Sequence, residues 1–323
     1  MDGHHTIPAV HVASIDDPDQ LAAALRDVQI EYLRLAPAPF TATLTAIDLG
    51  PVRLQVAADH AHISRGQVAA GQTLLLAGIA MPDGRTQMNG VTVGAGDILH
   101  LAPGAPLFAR VLDPIQWGAL SFRSEALAAA LPGSLPRDGD FALRRPGTGH
   151  AALSRFLAEA AALAATDPAR MNLPAVRKSM AEDAMRFSLA ALGHPMPRNA
   201  AHRAAQRRVA LVAQAEEALA AGLGAPLYSE DLERTLGVPM RTLHNAFIAV
   251  HGMSLHRYLR LRRLHLARAA LRAGGPPVSH VKIAALSNGF WHLGRFAREY
   301  RDLFGELPSA TMAQGHGTLF RDV

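Results

Sequence analysis

Residues Leu232–Gly274 read LERTLGVPMRTLHNAFIAVHGMSLHRYLRLRRLHLARAALRAG, and the spacing of apolar side chains in this stretch sets the fold of the chain's last third. The first unit runs from Tyr228 to Val250, and Ser229 can cap a short helix through Leu236. Gly237 supplies a sharp turn, and a second helix starts at Met240. In it, Leu243, Phe247 and Val250 recur at i, i+4 and i+7 and form one buried stripe. Arg241, His244 and Asn245 fall on the opposite face. A helix that enters the DNA major groove needs such polar side chains to reach base edges. Downstream, Leu264, Ala267 and Leu271 share a face of a connecting helix, about Leu255 to Ala273, ended by Gly274. At about 1.5 Å per residue it spans about 27 Å.

A second unit follows about 50 residues after the first: VKIAALSNGFWHLGRFAREYRDL, Val281–Leu303. Gly289 is its turn. Leu293, Phe296 and Tyr300 are expected to face inward, and His292, Arg295 and Arg298 outward. FGELPS reads as a terminal loop. Trp291 is expected to pack between the helices, with DNA contact as the alternative. Arg257, Arg260, Arg262 and Arg263 are either phosphate contacts or a solvated face.

Charge supports the nucleic-acid reading. From Ala200 onward the chain holds sixteen Arg and Lys against nine Asp and Glu; before it, sixteen stand against eighteen. A basic C-terminal portion on a near-neutral N-terminal portion suggests a polyanion-binding module joined to a different kind of domain. Of the 32 basic residues only Lys178 and Lys282 are lysines. Arginine suits bidentate contacts to phosphate and guanine, although an Arg-rich codon bias would give the same composition.

The N-terminal part reads differently. Asp16-Asp17-Pro18 caps a short helix, DQLAAALRD. From Phe40 to Asp113, short apolar or alternating runs are punctuated by Gly, Pro and Asp, as in a β-sandwich or small barrel. From Arg123 the chain turns Ala-rich and helical, with HAALSRFLAEAAALAA and LPAVRKSMAEDAMRFSLAALG as helices and His194–Asn199 as a linker.

Function classes narrow accordingly. No apolar run reaches the roughly 20 residues of a membrane span, and no secretory signal is recognisable. The 323 residues contain no cysteine, which excludes disulfides, thiolate metal sites and a Cys nucleophile and fits a cytoplasmic protein. His60-Ala61-His62, read as a strand, would put two imidazoles on one face with His100 as a distant third, but no Glu follows, and no metal site is assigned. Ser64 and Ser121 lack a nucleophile-elbow context, so no catalytic residue and no cofactor is assigned.

The residues LGV-x-x-RTL-x-x-x-F, HG-x-S, YLR-x-x-RL-x-x-A-x-x-x-L and GF-x-x-x-x-x-F-x-x-x-Y-x-x-x-FGE-x-P strongly resemble the AraC/XylS family of transcription regulators over about 100 contiguous residues. GFWHLGRFAREYRDLFGELPS resembles a subgroup that includes the ethanolamine-utilisation regulator, and FTATLTAIDLGPVRLQ is similar to that subgroup's sensor domains.

The resemblance implies a multidomain α+β chain. A cupin-like barrel over residues 1–130 would sense an effector or dimerise; residues 131–198 would be a helical dimerisation segment and linker; residues 199–323 would be an all-α DNA-binding domain with two helix-turn-helix units. Arg241, His244 and Asn245 match the family's base-reading positions in the first unit, and His292, Arg295 and Arg298 match the second unit's groove-facing positions.

Expected partners are double-stranded DNA, RNA polymerase, a small effector and a second copy of the chain, with activation as the outcome. The alternatives are a ligand-independent regulator whose barrel only dimerises, and a cupin enzyme fused to a DNA-binding module. The chain departs from the family pattern at Glu233, Pro239, Ala284 and Asn288. Pro239 removes the cap hydroxyl of the first recognition helix, which puts that unit's base reading in doubt.

Overall fold

A computed structural model describes residues 10–82, 84–132, 135–147, 149–193, 200–221, 229–273 and 280–318. The expected linker at His194–Asn199 and the helix end at Gly274 lie outside the described residues. The chain divides into two compact units, Met1–Tyr32 with Phe40–Gln206, and Leu33–Pro39 with Arg207–Val323.

The first unit opens with β1 (Val10–Ile15) and α1 (Pro18–Ala24), whose cap is Asp17: its Oδ1 accepts from the Asp19 backbone N–H at 2.8 Å. Strands follow: β2 (Val28–Arg34), β3 (Ala42–Asp48), β4 (Val52–Asp59), β5 (His62–Val68) and β6 (Gln72–Ala80). Next come β7 (Thr86–Met88), β8 (Val91–Val93), β9 (Ile98–Leu101), β10 (Pro106–Val111) and β11 (Ile115–Arg123). After α2 (Ser124–Ala130) and β12 (Phe141–Arg144), the chain forms α3 (His150–Thr166), α4 (Pro168–Met171) and α5 (Pro174–Leu192).

These strands form two sheets rather than a closed barrel. One has seven strands in the order β1-β3-β4-β11-β6-β9-β12; the other has five, β2-β5-β10-β7-β8. The expected cupin-like barrel is corrected on this point: β1 and β12 end one sheet, and β2 and β8 end the other. The physical reason lies in what covers the larger sheet. Val52, Leu54 and Val56 of β4 and Leu120 and Phe122 of β11 pack with Leu153, Leu157 and Ala160 of α3. The alternate residues of the same strands, including Gln55, Asp59 and Trp117, line a space shared with β2, β5 and β10. Both faces are therefore buried, and β4 reads as a nearly continuous buried run. Gly118 permits the close helix approach, since a Cβ there would lie 2.9 Å from Leu157 Cδ1.

The second unit takes in most of α6 (Ala200–Ala221), then α7 (Ser229–Leu236), α8 (Met240–His251), α9 (Leu255–Arg272), α10 (His280–Ser287), α11 (Leu293–Phe304) and α12 (Pro308–Thr318). FGELPS is not a terminal loop: Gly305 caps α11 with φ 78°, and α12 begins at Pro308. Leu264, Ala267 and Leu271 of α9 form a core with Ala284, Ala285, Phe290, Phe296, Tyr300 and Phe304.

Candidate nucleic-acid interface

The first candidate reading helix is α8. Gly237 turns the chain into it with φ 63°, a backbone angle that a residue with a Cβ disfavours. Pro239 is its N-cap and makes no side-chain cap bond, as the missing hydroxyl requires. The Ser229 side chain lies outside the described residues. Leu243, Phe247 and Val250 are buried as the spacing predicts, and Ala246 joins them. The Phe247 ring sits 5.2 Å from Tyr258 and 5.5 Å from His251, which fixes α8 against the start of α9. Arg241, His244 and Asn245 are exposed on the other side. Sequence reasoning missed Ile248, four residues beyond His244, which is 46% exposed on the same face. Its signal was present in the i, i+3, i+4, i+7 pattern from Arg241, but only the polar residues of that face were drawn from it.

Helix α9 holds the two units in one frame. Ser254 caps it, with Oγ accepting from the Arg257 backbone N–H at 3.3 Å. It runs unbroken for 18 residues, about 27 Å. Of its four arginines in the first three turns, Arg257 is exposed and Arg263 half-buried. Arg262 is neither a phosphate contact nor solvated: it is 5% exposed and pairs with Glu216 of α6 at 3.1 Å. Arg260 grips both carboxylate oxygens of Glu299, at 2.6 and 2.7 Å.

Glu299 in turn holds the second candidate reading helix, α11. Its Oε1 accepts from Arg295 Nε at 2.9 Å, so Arg260, Glu299 and Arg295 form one chain of charge. His292, Arg295 and Arg298 are exposed, and His292 is the helix N-cap. Gly289 makes the turn before them with φ 76°. Phe296 and Tyr300 are buried, but Leu293 is 39% exposed, because it stands in the first turn, ahead of the packed stripe. Trp291 does not pack between the helices: it is 67% exposed. It borders a groove of about 150 Å³ together with Arg260, Arg263, His292 and Arg295. The departures from the family pattern are accommodated: Ala284 is buried, and Asn288 Nδ2 donates to its carbonyl at 2.8 Å.

Chemically, the α8 face offers the groups that read a major groove. An Arg can bond guanine bidentately, an Asn can bond adenine, and an aliphatic side chain can touch a thymine methyl. The α11 face and its groove are cationic and aromatic, suited to phosphate and sugar as well as bases.

Comparison with known proteins agrees with this geometry. A helix-turn-helix domain family matches residues 232–314. Over 86 residues the chain is 43% identical to the XylDLEGF operon transcriptional activator of Pseudomonas putida, covering 26% of this chain and 27% of that protein.

This chain carries a helix-turn-helix domain.

The chain thus spans between 22% and 46% of the length of the curated relatives it matches. Two solved structures are also similar. One is the AraC-like transcriptional activator CuxR, with 15% identity over 86% of this chain and 99% of that one, at a TM-score of 0.42. The other is a probable AraC family transcriptional regulator from Rhodopseudomonas palustris, with 39% identity over 32% of this chain and 96% of that one, at a TM-score of 0.30.

Outside the helix-turn-helix domain, the His60-Ala61-His62 motif does not lie on one strand. β4 ends at Asp59 and β5 starts at His62, so His60 and Ala61 form the short link between a strand of one sheet and a strand of the other, Ala61 with φ 51°. His60 stacks on Phe40 at 6.3 Å, whereas His62 turns into the space between the sheets. His100 does not join them. It pairs across from Leu75 on the helix-covered face, and burial pushes its pKa down to about 3. Ser64 and Ser121 are both buried, and Ser121 donates to Asp27.

Proposed function

We propose that this protein is a transcription activator that binds double-stranded DNA sequence-specifically through α8 and α11. One observation carries the proposal. The packed stripe of α8 anchors it in the core while Arg241, His244 and Asn245 stand exposed on the opposite face. His292, Arg295 and Arg298 would contact the adjacent groove, and α9 sets the spacing between them.

Residues 199–323 would form the DNA-binding part, 1–130 the sensor and 131–198 a helical dimerisation segment and linker. The remaining partners in this reading are RNA polymerase, a small effector and a second copy of the chain. The matched relative is named a transcriptional activator, which supports activation as the outcome. No described helix is long and apolar enough to cross a membrane, and a cytoplasmic location completes the proposal. No catalytic role and no cofactor is proposed.

A ligand-independent regulator is disfavoured by the space between the sheets, which contains buried polar groups rather than a uniformly apolar filling. The test is selection of binding sites from a random duplex pool by the purified chain. Enrichment of a defined motif supports the proposal. Capture of all sequences alike, with steep salt dependence, would reduce the domain to a nonspecific polyanion binder.

A further inference from the structure

The space between the sheets holds a carboxylate with half of its hydrogen bonding unmet. Asp59, at the end of β4, is 3% exposed. Its Oδ2 accepts from Trp117 Nε1 at 3.0 Å, but its Oδ1 has no hydrogen-bond partner. Across from it, 3.7 Å away, lies His62 Nδ1, also without a partner and itself 3% exposed. That distance is too long for a hydrogen bond between them. Burial lowers the pKa of His62 despite the nearby Asp59 carboxylate and a hydrogen bond to the His60 backbone, so the imidazole is neutral at neutral pH; in its Nε2–H tautomer it presents a lone pair at Nδ1.

In that tautomer two acceptors face each other with no donor between them, and the carboxylate has no Lys or Arg beside it among the described residues. The Tyr32 ring meets the His62 ring edge-on at 4.7 Å. Burial, reinforced by the charge of Asp59, holds the Tyr32 phenol well above its usual pKa. The rest of the lining is aliphatic, including Ile30, Leu76 and Val111, around a cavity of about 40 Å³. That is room for a group of only a few non-hydrogen atoms.

The geometry points to a recognition site for a small organic cation, a short alkylammonium, with Asp59 as its counter-ion and His62 Nδ1 as a second acceptor. This rests on the proposal that the first unit takes a small effector, and it names that effector's chemical class. One ammonium nitrogen can donate to both Asp59 Oδ1 and His62 Nδ1. A carboxylate ligand is disfavoured, because it would bring a second negative charge against Asp59.

The test uses the full chain carrying Trp291→Phe. Trp117 and Trp291 are the two tryptophans, and Trp291 is exposed, so this change leaves Trp117 as the only indole reporter. Methyl-, ethyl- and trimethylammonium chloride are titrated against KCl at matched ionic strength, with ethanol and acetate as neutral and anionic probes. A saturable change in Trp117 emission is expected with at least one ammonium ion and with none of the controls. Asp59→Asn should weaken that binding about tenfold or more. If Asp59→Asn fails to fold, His62→Gln, which keeps a polar group facing the cavity, serves in its place and should weaken the same titration.

A flat response to every ammonium ion overturns the proposal. So does an equal response to ethanol, which would mean that water or any neutral donor satisfies the two acceptors. Binding to a selected duplex, measured on the same protein, separates the two ideas. If the cation binds but duplex affinity does not change, the site stands and the effector reading fails. If the duplex is bound but no cation is, the site fails and the DNA reading stands.

Discussion

The two helix-turn-helix units share a plan but differ in how tightly each candidate reading face is held. In the first, a cluster of Phe247, His251 and Tyr258 fixes the back of α8. Its front residues Arg241, His244 and Asn245 are exposed, with no ion-pair partner among the described residues. In the second, rings stack in series from Phe290 through Phe296 and Tyr300 to Phe304. Two ion pairs then tie that unit to α9: Arg260 with Glu299 and Arg268 with Glu306, the latter at 3.3 Å. Arg295 is already oriented by Glu299 before any ligand arrives. A side chain held in place loses less freedom on binding than one ordered only at contact. The second head is thus preorganised, and the first is adaptable.

The largest effect should come from cutting the stack. Phe296→Ala removes a ring that is 1% exposed and should cost about 3–5 kcal/mol of domain stability. Thermal melting of the chain would show it, and protection of the second box should be lost before the first. Equal loss at both boxes would mean that the heads fold as one body and do not differ in stability.

Arg241→Ala should act on recognition rather than folding, because the residue is exposed. The expected loss is about 1–3 kcal/mol of discrimination at one base pair of the first box. Competition with nonspecific duplex reads this directly: an equal fall in specific and nonspecific affinity would make Arg241 a phosphate contact.

Glu299→Gln should release Arg260 and Arg295 together. Discrimination at the second box should fall by about 1 kcal/mol while Tm changes little, since these groups are partly exposed. No change in discrimination would mean that the orientation of Arg295 is irrelevant to recognition.

Acid should also separate the heads, by a smaller margin. His265 of α9 meets the Phe304 ring edge-on at 5.1 Å, and burial lowers its pKa to about 4, outweighing a hydrogen bond to a backbone carbonyl. The unfolded chain binds that proton near pH 6.5 and the folded chain does not. The stability is therefore complete above pH 6.5 and is lost as pH falls toward 4. Between pH 7 and 5, footprinting should show the second box weakening first, and His265→Leu should remove the difference.

Much of this architecture was legible because it is local. Asp17 caps α1, Gly237 and Gly289 make the turns, and the stripe of α8 follows directly from its spacing. What was not legible depends on pairings distant in sequence. Arg262 sits in an Arg-rich run that reads as solvated, yet Glu216 meets it from another helix. The two sheets differ from a closed barrel because β11 inserts between β4 and β6, an order that local alternation does not encode. The HAH motif fell on the link between the two sheets because Ala61 adopts a left-handed backbone angle that its sequence does not advertise. At the candidate interface, Trp291 was expected to pack between the helices, with DNA contact as the alternative, and Ile248 was passed over, although exposed apolar residues are common and here flank the exposed polar faces.

The central claim is that α9 fixes two reading heads at one separation, and a spacer series tests it most directly. The duplex is the motif selected by the full chain, with its two boxes moved apart by about half a helical turn, about 5 bp, and then by a full turn, about 10 bp. Affinity is measured by gel shift, with a half-site duplex that carries one box as the reference. The parent spacing, about 10 bp between box centres, should bind tightest, and the half-turn insertion should fall to the affinity of a single box. Undiminished binding to the half-turn duplex would contradict the account, showing that α9 bends or that one head alone reads DNA.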